Sequence, residues 1–184
     1  MTTTQATTTY TIDPAHSSAE FAVRHMMLSK VRGTFHGLAG TIALPAAGSV
    51  PASVSADIEV ASIDTREPQR DAHLKSPDFF DVEKFPRLTF RSKSVERAGD
   101  GHYKVTGALT IRDVSKDVVL DVEETGRGKD PWGNARVGFS AKATINRADF
   151  GLKWNQALEA GGVLVGEKVE IELDVQAMEK KAAA

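Results

Sequence analysis

The sequence predicts an all-β fold, a single antiparallel eight-stranded barrel with one short α-helix near a barrel end. Three observations predict it. Apolar residues recur at every second position in stretch after stretch, the mark of strands with one buried face. Several stretches run to roughly ten residues, or ~34 Å of strand, against a usual length of about 5–6 residues. One segment alone carries helical signals.

The elements follow in chain order. A short strand is expected at Thr9 to Ile12. Ala19, Phe21, Val23, His25 and Met27 share one face of the next, with Glu20, Ala22 and Arg24 on the other. A long strand is expected from Val31 to Leu44, with glycines 33, 37 and 40 marking a bulge or sharp bend. Val54, Ala56, Ile58 and Val60 alternate with Ser53, Ser55, Asp57 and Glu59. A helix is expected from Thr65 to Lys75, capped by Asp64 or Thr65, with Pro68 tolerated in its first turn.

Beyond a turn carrying Phe79 and Phe80, a short strand is expected at Leu88 to Ser92. Tyr103, Val105, Gly107, Leu109 and Ile111 then form one face; so do Val118, Leu120 and Val122, and Val137, Phe139, Ala141, Ala143 and Ile145. Gly126 to Asn134 reads as a polar turn and Asn146 to Trp154 as a compact turn or short helix. Val169, Ile171, Leu173 and Val175 complete the set. Strands with one polar face meet water on that side, which favours antiparallel pairing, and closure removes the exposed edges. A two-sheet sandwich is the rival architecture. The division expected is a disordered leader over 1–8, the barrel over 9–178 and a frayed tail over 179–184.

Composition narrows the function. The 184 residues carry 23 basic and 25 acidic side chains, a net charge of −2, so no basic excess points to nucleic acid. The absence of Cys removes disulfides, thiolate nucleophiles and Cys-ligated metals. The start has neither a basic region nor an apolar run, so a cytoplasmic location without a signal peptide is expected, and no stretch suits stable membrane insertion. The five His residues form no H-E-x-x-H or H-x-H arrangement, and no metal or cofactor is expected.

The residues that could carry chemistry each have a plain structural alternative. His25 lies on an apolar face and is either a satisfied core histidine or a polar contact for a ligand. Asp13, His16, Ser17 and Ser18 contain the residue types of a hydrolytic triad but no nucleophile elbow, and read as a turn. Arg70 and His73, on the helix, are candidates for the mouth of a barrel, whereas Asp71 reads as a pin for the helix. Gly107, Ala141 and Ala143 are small residues on inward faces, which leaves volume and favours a cavity.

These residues fall into ordered motifs. Ile12-Asp13-Pro14-Ala15-His16-Ser17, Val31-Arg32-Gly33-Thr34-Phe35 with Gly40, and Arg70 through Asp81 followed by Phe85-Pro86 and Thr89-Phe90 are three of them. Gly107 to Ile111 and Asn146 to Leu152 are the others. Together they resemble the YceI family of polyisoprenoid-binding proteins from Tyr10 to Val175. Asp113, Asp117 and Tyr10 depart from the common pattern, at positions where many members have Gly, Pro and Trp.

The resemblance implies a lipocalin-like barrel with a deep apolar cavity for long isoprenoid or similar lipid chains, such as a quinone-like lipid, without catalytic residues and as a homodimer. The candidate ligand-binding set is Phe21, Val23, His25, Arg32, Phe35, Arg70, His73, Phe79, Phe90, Leu109, Phe139, Arg147 and Trp154. Among these, His25, Arg32, Arg70, His73 and Arg147 are the candidates for a polar head group. Two alternatives stand beside a storage or carrier role. One is a lipid-modifying isomerase or hydrolase with His25 as base. The other is a ligand-free interaction domain, which requires an interior filled by side chains.

Overall fold

The computed structural model describes residues 6–45 and 50–181. Its strands are β1 (Thr8–Ile12), β2 (Ser18–His25), β3 (Ser29–Phe35), β4 (Leu38–Leu44), β5 (Ser53–Glu59), β6 (Ile63–Asp64), β7 (Arg87–Gly99), β8 (His102–Ile111), β9 (Val114–Lys129), β10 (Ala135–Asn146) and β11 (Val165–Glu179). One helix, α1 (Pro68–Lys75), lies between β6 and β7.

All pairings are antiparallel and the sheet closes on itself as an eight-stranded barrel. The count of eight arises because three barrel staves are each made of two strands: β1 with β2, β3 with β4, and β5 with β6. β1 and β2 both pair with β11, through Ala177–Glu179 and Val165–Asp174 respectively. A 3₁₀ turn at Pro14–His16 interrupts them. β4 pairs with β1 and β3 with β2, so the expected single strand from Val31 to Leu44 is instead two, broken at His36–Gly37. At that break both amides, His36 and Gly37, bond to the Ser62 hydroxyl instead of a neighbouring strand.

The 3₁₀ turn is where Asp13, His16 and Ser17 lie, and they serve the backbone and the barrel seam. Asp13 accepts from the Ala15 amide at 3.0 Å and from Arg136 Nη1 at 2.8 Å, with His16 Nδ1 2.8 Å away. Ser17 bonds the carbonyl and amide of Gln176 across the seam. The bond from Arg136, then that from His16, lowers the Asp13 carboxyl from 3.8 to about 2. An acid depressed in the folded state stabilises it above the unfolded-state value, and this contribution is lost as pH falls through the folded value. Acid titration is therefore expected to weaken the seam between about 3.8 and about 2. In Arg136→Gln the urea midpoint should start lower at neutral pH and fall less across that window; an unchanged slope would show that the pair does not couple to folding.

Three other boundaries differ from the expected ones. α1 begins at Pro68, capped by Glu67, whose carboxylate accepts from the Gln69 and Arg70 amides. Asp64 instead accepts from the Arg66 amide, and Thr65 is bound to Asp71, so neither is free to cap. β7 extends to Gly99 because residues 93–99 pair with β8 through backbone while most of their side chains stay exposed, leaving no alternation to read. β9 runs on to Lys129, and the turn is confined to Asp130–Asn134, where the Asp130 carboxylate accepts from the Trp132 and Asn134 amides. At the ends, Thr8 pairs with Leu44 and Glu179 with Tyr10. The strands thus reach one residue into both the expected leader and the expected tail, while 1–5 and 182–184 lie outside the described residues.

Candidate functional site

The inward faces of the barrel do not meet at its centre. A cavity of about 550 Å³ follows the interior, walled by side chains from the strands and from α1. One end is shut by a packed cluster of Ile12, Leu38, Ile42, Leu44, Val137, Phe139 and Ala177, all buried. At the α1 end the lining residues Gln69, Arg70, His73, Trp154, Leu164 and Val165 are half-buried or exposed, and there the cavity opens. The inward residues Val169, Ile171, Leu173 and Val175 are only half-buried although they sit inside the wall, as residues facing an open lumen must be.

Glycine explains why two bulky rings do not fill that lumen. Phe21 pairs directly with Gly33 across β2 and β3, and its ring lies in the space that a Gly33 side chain would take, with Cζ 2.3 Å from the ideal Cβ position. Phe90 occupies the corresponding space at Gly107, with Cζ 2.4 Å from the ideal Cβ. Rings laid on a neighbouring strand's glycine hug the wall instead of projecting to the axis. Gly107 therefore contributes by seating an aromatic ring, and not as the vacant volume expected of it. Ala141 and Ala143 do line the cavity.

Of the candidate set, Phe21, Val23, His25, Phe35, Arg70, His73, Phe79, Phe90, Leu109, Phe139, Arg147 and Trp154 all line the cavity. Arg32 does not. Strand parity puts Val31, Gly33 and Phe35 inward, so Arg32 points outward and is exposed. On α1, Gln69 and Leu74 face the cavity together with Arg70 and His73, a spacing that puts all four on one helix face. Ile171 and Leu173, on the inward face of β11 and outside the candidate set, also line the cavity.

The polar groups gather at the mouth. Arg70 donates from Nε to the Thr65 hydroxyl at 2.8 Å and from Nη2 to the Thr65 carbonyl at 2.7 Å, which leaves Nη1 without a partner among the described residues. Asp71 accepts from the Thr65 amide at 2.9 Å and pins the start of α1. His73 Nε2 lies 2.8 Å from Asp78 Oδ2. Its ring packs edge-on against Trp154 at 4.7 Å and Phe79 at 5.1 Å, so three aromatic groups frame the opening. His25 also lines the cavity, but among the described residues no carboxylate orients its ring.

Arg147 is 4 % exposed. It donates to the carbonyls of Leu152 at 2.6 Å, Gly166 at 2.8 Å, Trp154 at 2.9 Å and Val165 at 3.3 Å. Burial pushes its guanidinium down from the ordinary value, with the charge of Glu167 acting in the opposite sense. Four of its five N–H groups are thus committed to the backbone that frames the mouth, which makes it first a clamp on that loop. Among the described residues no group of three His, Cys, Asp or Glu side chains could hold a metal ion.

Comparison with known proteins agrees with this architecture. A UPF0312 protein of Staphylococcus aureus is 39 % identical over 170 residues, covering 92 % of this chain and 96 % of its own. A Campylobacter jejuni YceI protein of known structure is 32 % identical, with a TM-score of 0.72 over 86 % of this chain and 90 % of its own. A polyisoprenoid binding domain from Saccharophagus degradans shares the fold at 16 % identity, with a TM-score of 0.68 over 93 % of this chain and 98 % of its own. The model of the YceI-like domain matches residues 10–177, nearly the whole barrel, and the chain belongs to that family.

Proposed function

We propose that this barrel binds a long isoprenoid or similar lipid in its cavity, and stores or carries it without transforming it. The observation that carries the reading is a lumen closed at one end, walled largely by aliphatic and aromatic side chains, with Gln69, Arg70, His73 and Arg147 gathered at its opening. Each CH₂ buried there is worth roughly 0.8 kcal/mol, and an apolar chain offers no hydrogen bonds to read, so selection works by length and girth. The uncommitted Nη1 of Arg70 and the exposed Gln69 supply donors for a head group such as a diphosphate or quinone. The family resemblance to a polyisoprenoid binding domain supports the same class of ligand. The catalytic alternative rests on His25 as base, and although His25 lines the cavity, no carboxylate among the described residues orients its ring.

Native mass spectrometry of the purified chain, with organic extraction of what it carries, tests this reading. The expected result is an apolar adduct released by solvent, and stabilisation of the emptied barrel by a long-chain prenol. A barrel that purifies empty and does not respond to prenols or quinones would sink it.

A further inference from the structure

The hairpin between β2 and β3 ends in Met26-Met27-Leu28. The Leu28 amide donates to the His25 carbonyl at 3.0 Å, and Met26 and Met27 hold φ angles of 52° and 58°. Two consecutive left-handed residues make the hairpin turn that ordinarily selects Asn-Gly, because a Cβ is disfavoured there. This chain places two long apolar side chains at those positions. The fold does not bury them: Met26 is 39 % exposed, Met27 67 % and Leu28 78 %. The Met26 amide donates to the Leu164 carbonyl at 2.8 Å, and the adjoining Val163 is 39 % exposed. An apolar crest therefore stands at the end of the barrel where His25 and Leu164 line the cavity.

The outer wall beside the crest is cationic. Arg24 lies directly across from Lys30, and Ala22 across from Arg32. Facing like charges destabilise a strand pair. Glu170 bonds Lys30 at 2.8 Å, and its carboxyl is held below the usual range by Lys30 first, with Lys168 and Arg24 assisting. Glu167, bonded to Asn146, is the other acid beside these cations, and the next row of the same face holds Glu20 across from Glu172, so the cations are gathered at the end nearest the crest.

We propose that this end of the barrel docks on an anionic lipid bilayer, with Met27 and Leu28 entering the interface and Arg24, Lys30, Arg32 and Lys168 meeting the lipid phosphates. A protein partner would need roughly 800 Å² of contact per side, and a convex crest of a few side chains does not offer it. Insertion of a few apolar groups backed by cations suffices at a bilayer surface. The docking stands on the crest and its charges. That the docked barrel then exchanges cargo through the adjacent mouth rests on the lipid-binding reading.

Flotation of the full chain with phosphatidylcholine vesicles, with and without phosphatidylglycerol, tests the proposal. Binding is expected with phosphatidylglycerol and should weaken as salt is raised. The double variant Met27→Ser/Leu28→Ser should lose about tenfold in bound fraction, and Arg24→Gln/Arg32→Gln a comparable amount, with thermal midpoints unchanged because these side chains are exposed. In a Leu28→Trp variant, brominated lipid should quench emission beyond the wild-type level. The proposal is overturned if the wild type does not float, if the Ser variant floats equally well, or if the Ser variant changes only self-association, which would assign the crest to a second copy. An empty cavity in the extraction experiment would leave the flotation result standing, so the two readings fail separately.

Discussion

Gly33→Ala is expected to fold and to lose most of its capacity for the long-chain ligand proposed above. The ideal Cβ at this position meets Phe21 Cζ at 2.3 Å, Phe21 Cε1 at 2.6 Å and Thr65 Cγ2 at 3.0 Å. All three are side-chain atoms, and Gly33 has no positive φ, so its backbone accepts alanine and the ring must give way. Phe21 sits on the inner wall, with Phe35 at 5.6 Å and Phe80 a further 5.9 Å along. The space left to the displaced ring is the lumen. A ring moved there excludes several CH₂ groups of ligand, and at roughly 0.8 kcal/mol each the affinity should fall about 10- to 100-fold. The cost to folding should stay near 1–2 kcal/mol, the ordinary range for one added methyl in a packed wall.

The checks are the lipid-to-protein ratio by native mass spectrometry and the urea midpoint on the same samples. Adding Phe21→Ala to Gly33→Ala should restore capacity, because the obstruction is then gone. A Gly33→Ala protein that retains its full lipid load would show that the ring finds room elsewhere and that the glycine does not guard the lumen. Gly107 is the less clean site for this test, since its Cβ would also meet the Arg91 carbonyl at 2.6 Å and strain the backbone itself.

The same glycines show what the sequence could and could not disclose. Alternation identified the inward face of almost every stave because a half-buried strand repeats every two residues whatever its neighbours do. It could not say that β1 and β2 share one partner, β11, nor that Gly33 and Gly107 are filled by rings from adjacent strands, since both depend on register between segments distant in the chain. Arg32 is a different case: its parity with Val31 and Phe35 already pointed it outward, and its basic character alone suggested a head-group contact. The second half of β7 was hidden for a physical reason, being held by backbone pairing with few buried side chains to impose a pattern. The mouth was half legible. Arg70 and His73 were singled out by residue type, whereas Gln69 and Leu74 reach the cavity only because Glu67 and Pro68 set where α1 begins and hence which face it turns inward.

Arg147→Met is expected to cost about 3–5 kcal/mol, the range for removing one member of a buried charged network. The guanidinium spans four carbonyls, those of Leu152 and Trp154 at the start and of Val165 and Gly166 at the end of the loop that runs from Leu152 to Gly166. Methionine fills similar space but leaves those acceptors unpaired, at about 1–3 kcal/mol for each that stays dry. Water reaching some of them from the mouth limits the total. Arg147→Lys should recover only part of the loss, because a single ammonium cannot reach carbonyls on both sides of the loop as a planar fork does. Urea denaturation measures the cost. Local loosening should appear separately as faster hydrogen exchange at the Val165 amide, which Asn155 now holds at 3.0 Å, and as increased quenching of Trp154. A loss below about 1 kcal/mol, within the range of ordinary surface substitutions and small local changes, would mean that Asn155 and the flanking bonds hold the loop unaided. Because Trp154 frames the opening and Arg147 fixes its carbonyl, a loosened loop should also release an apolar ligand faster.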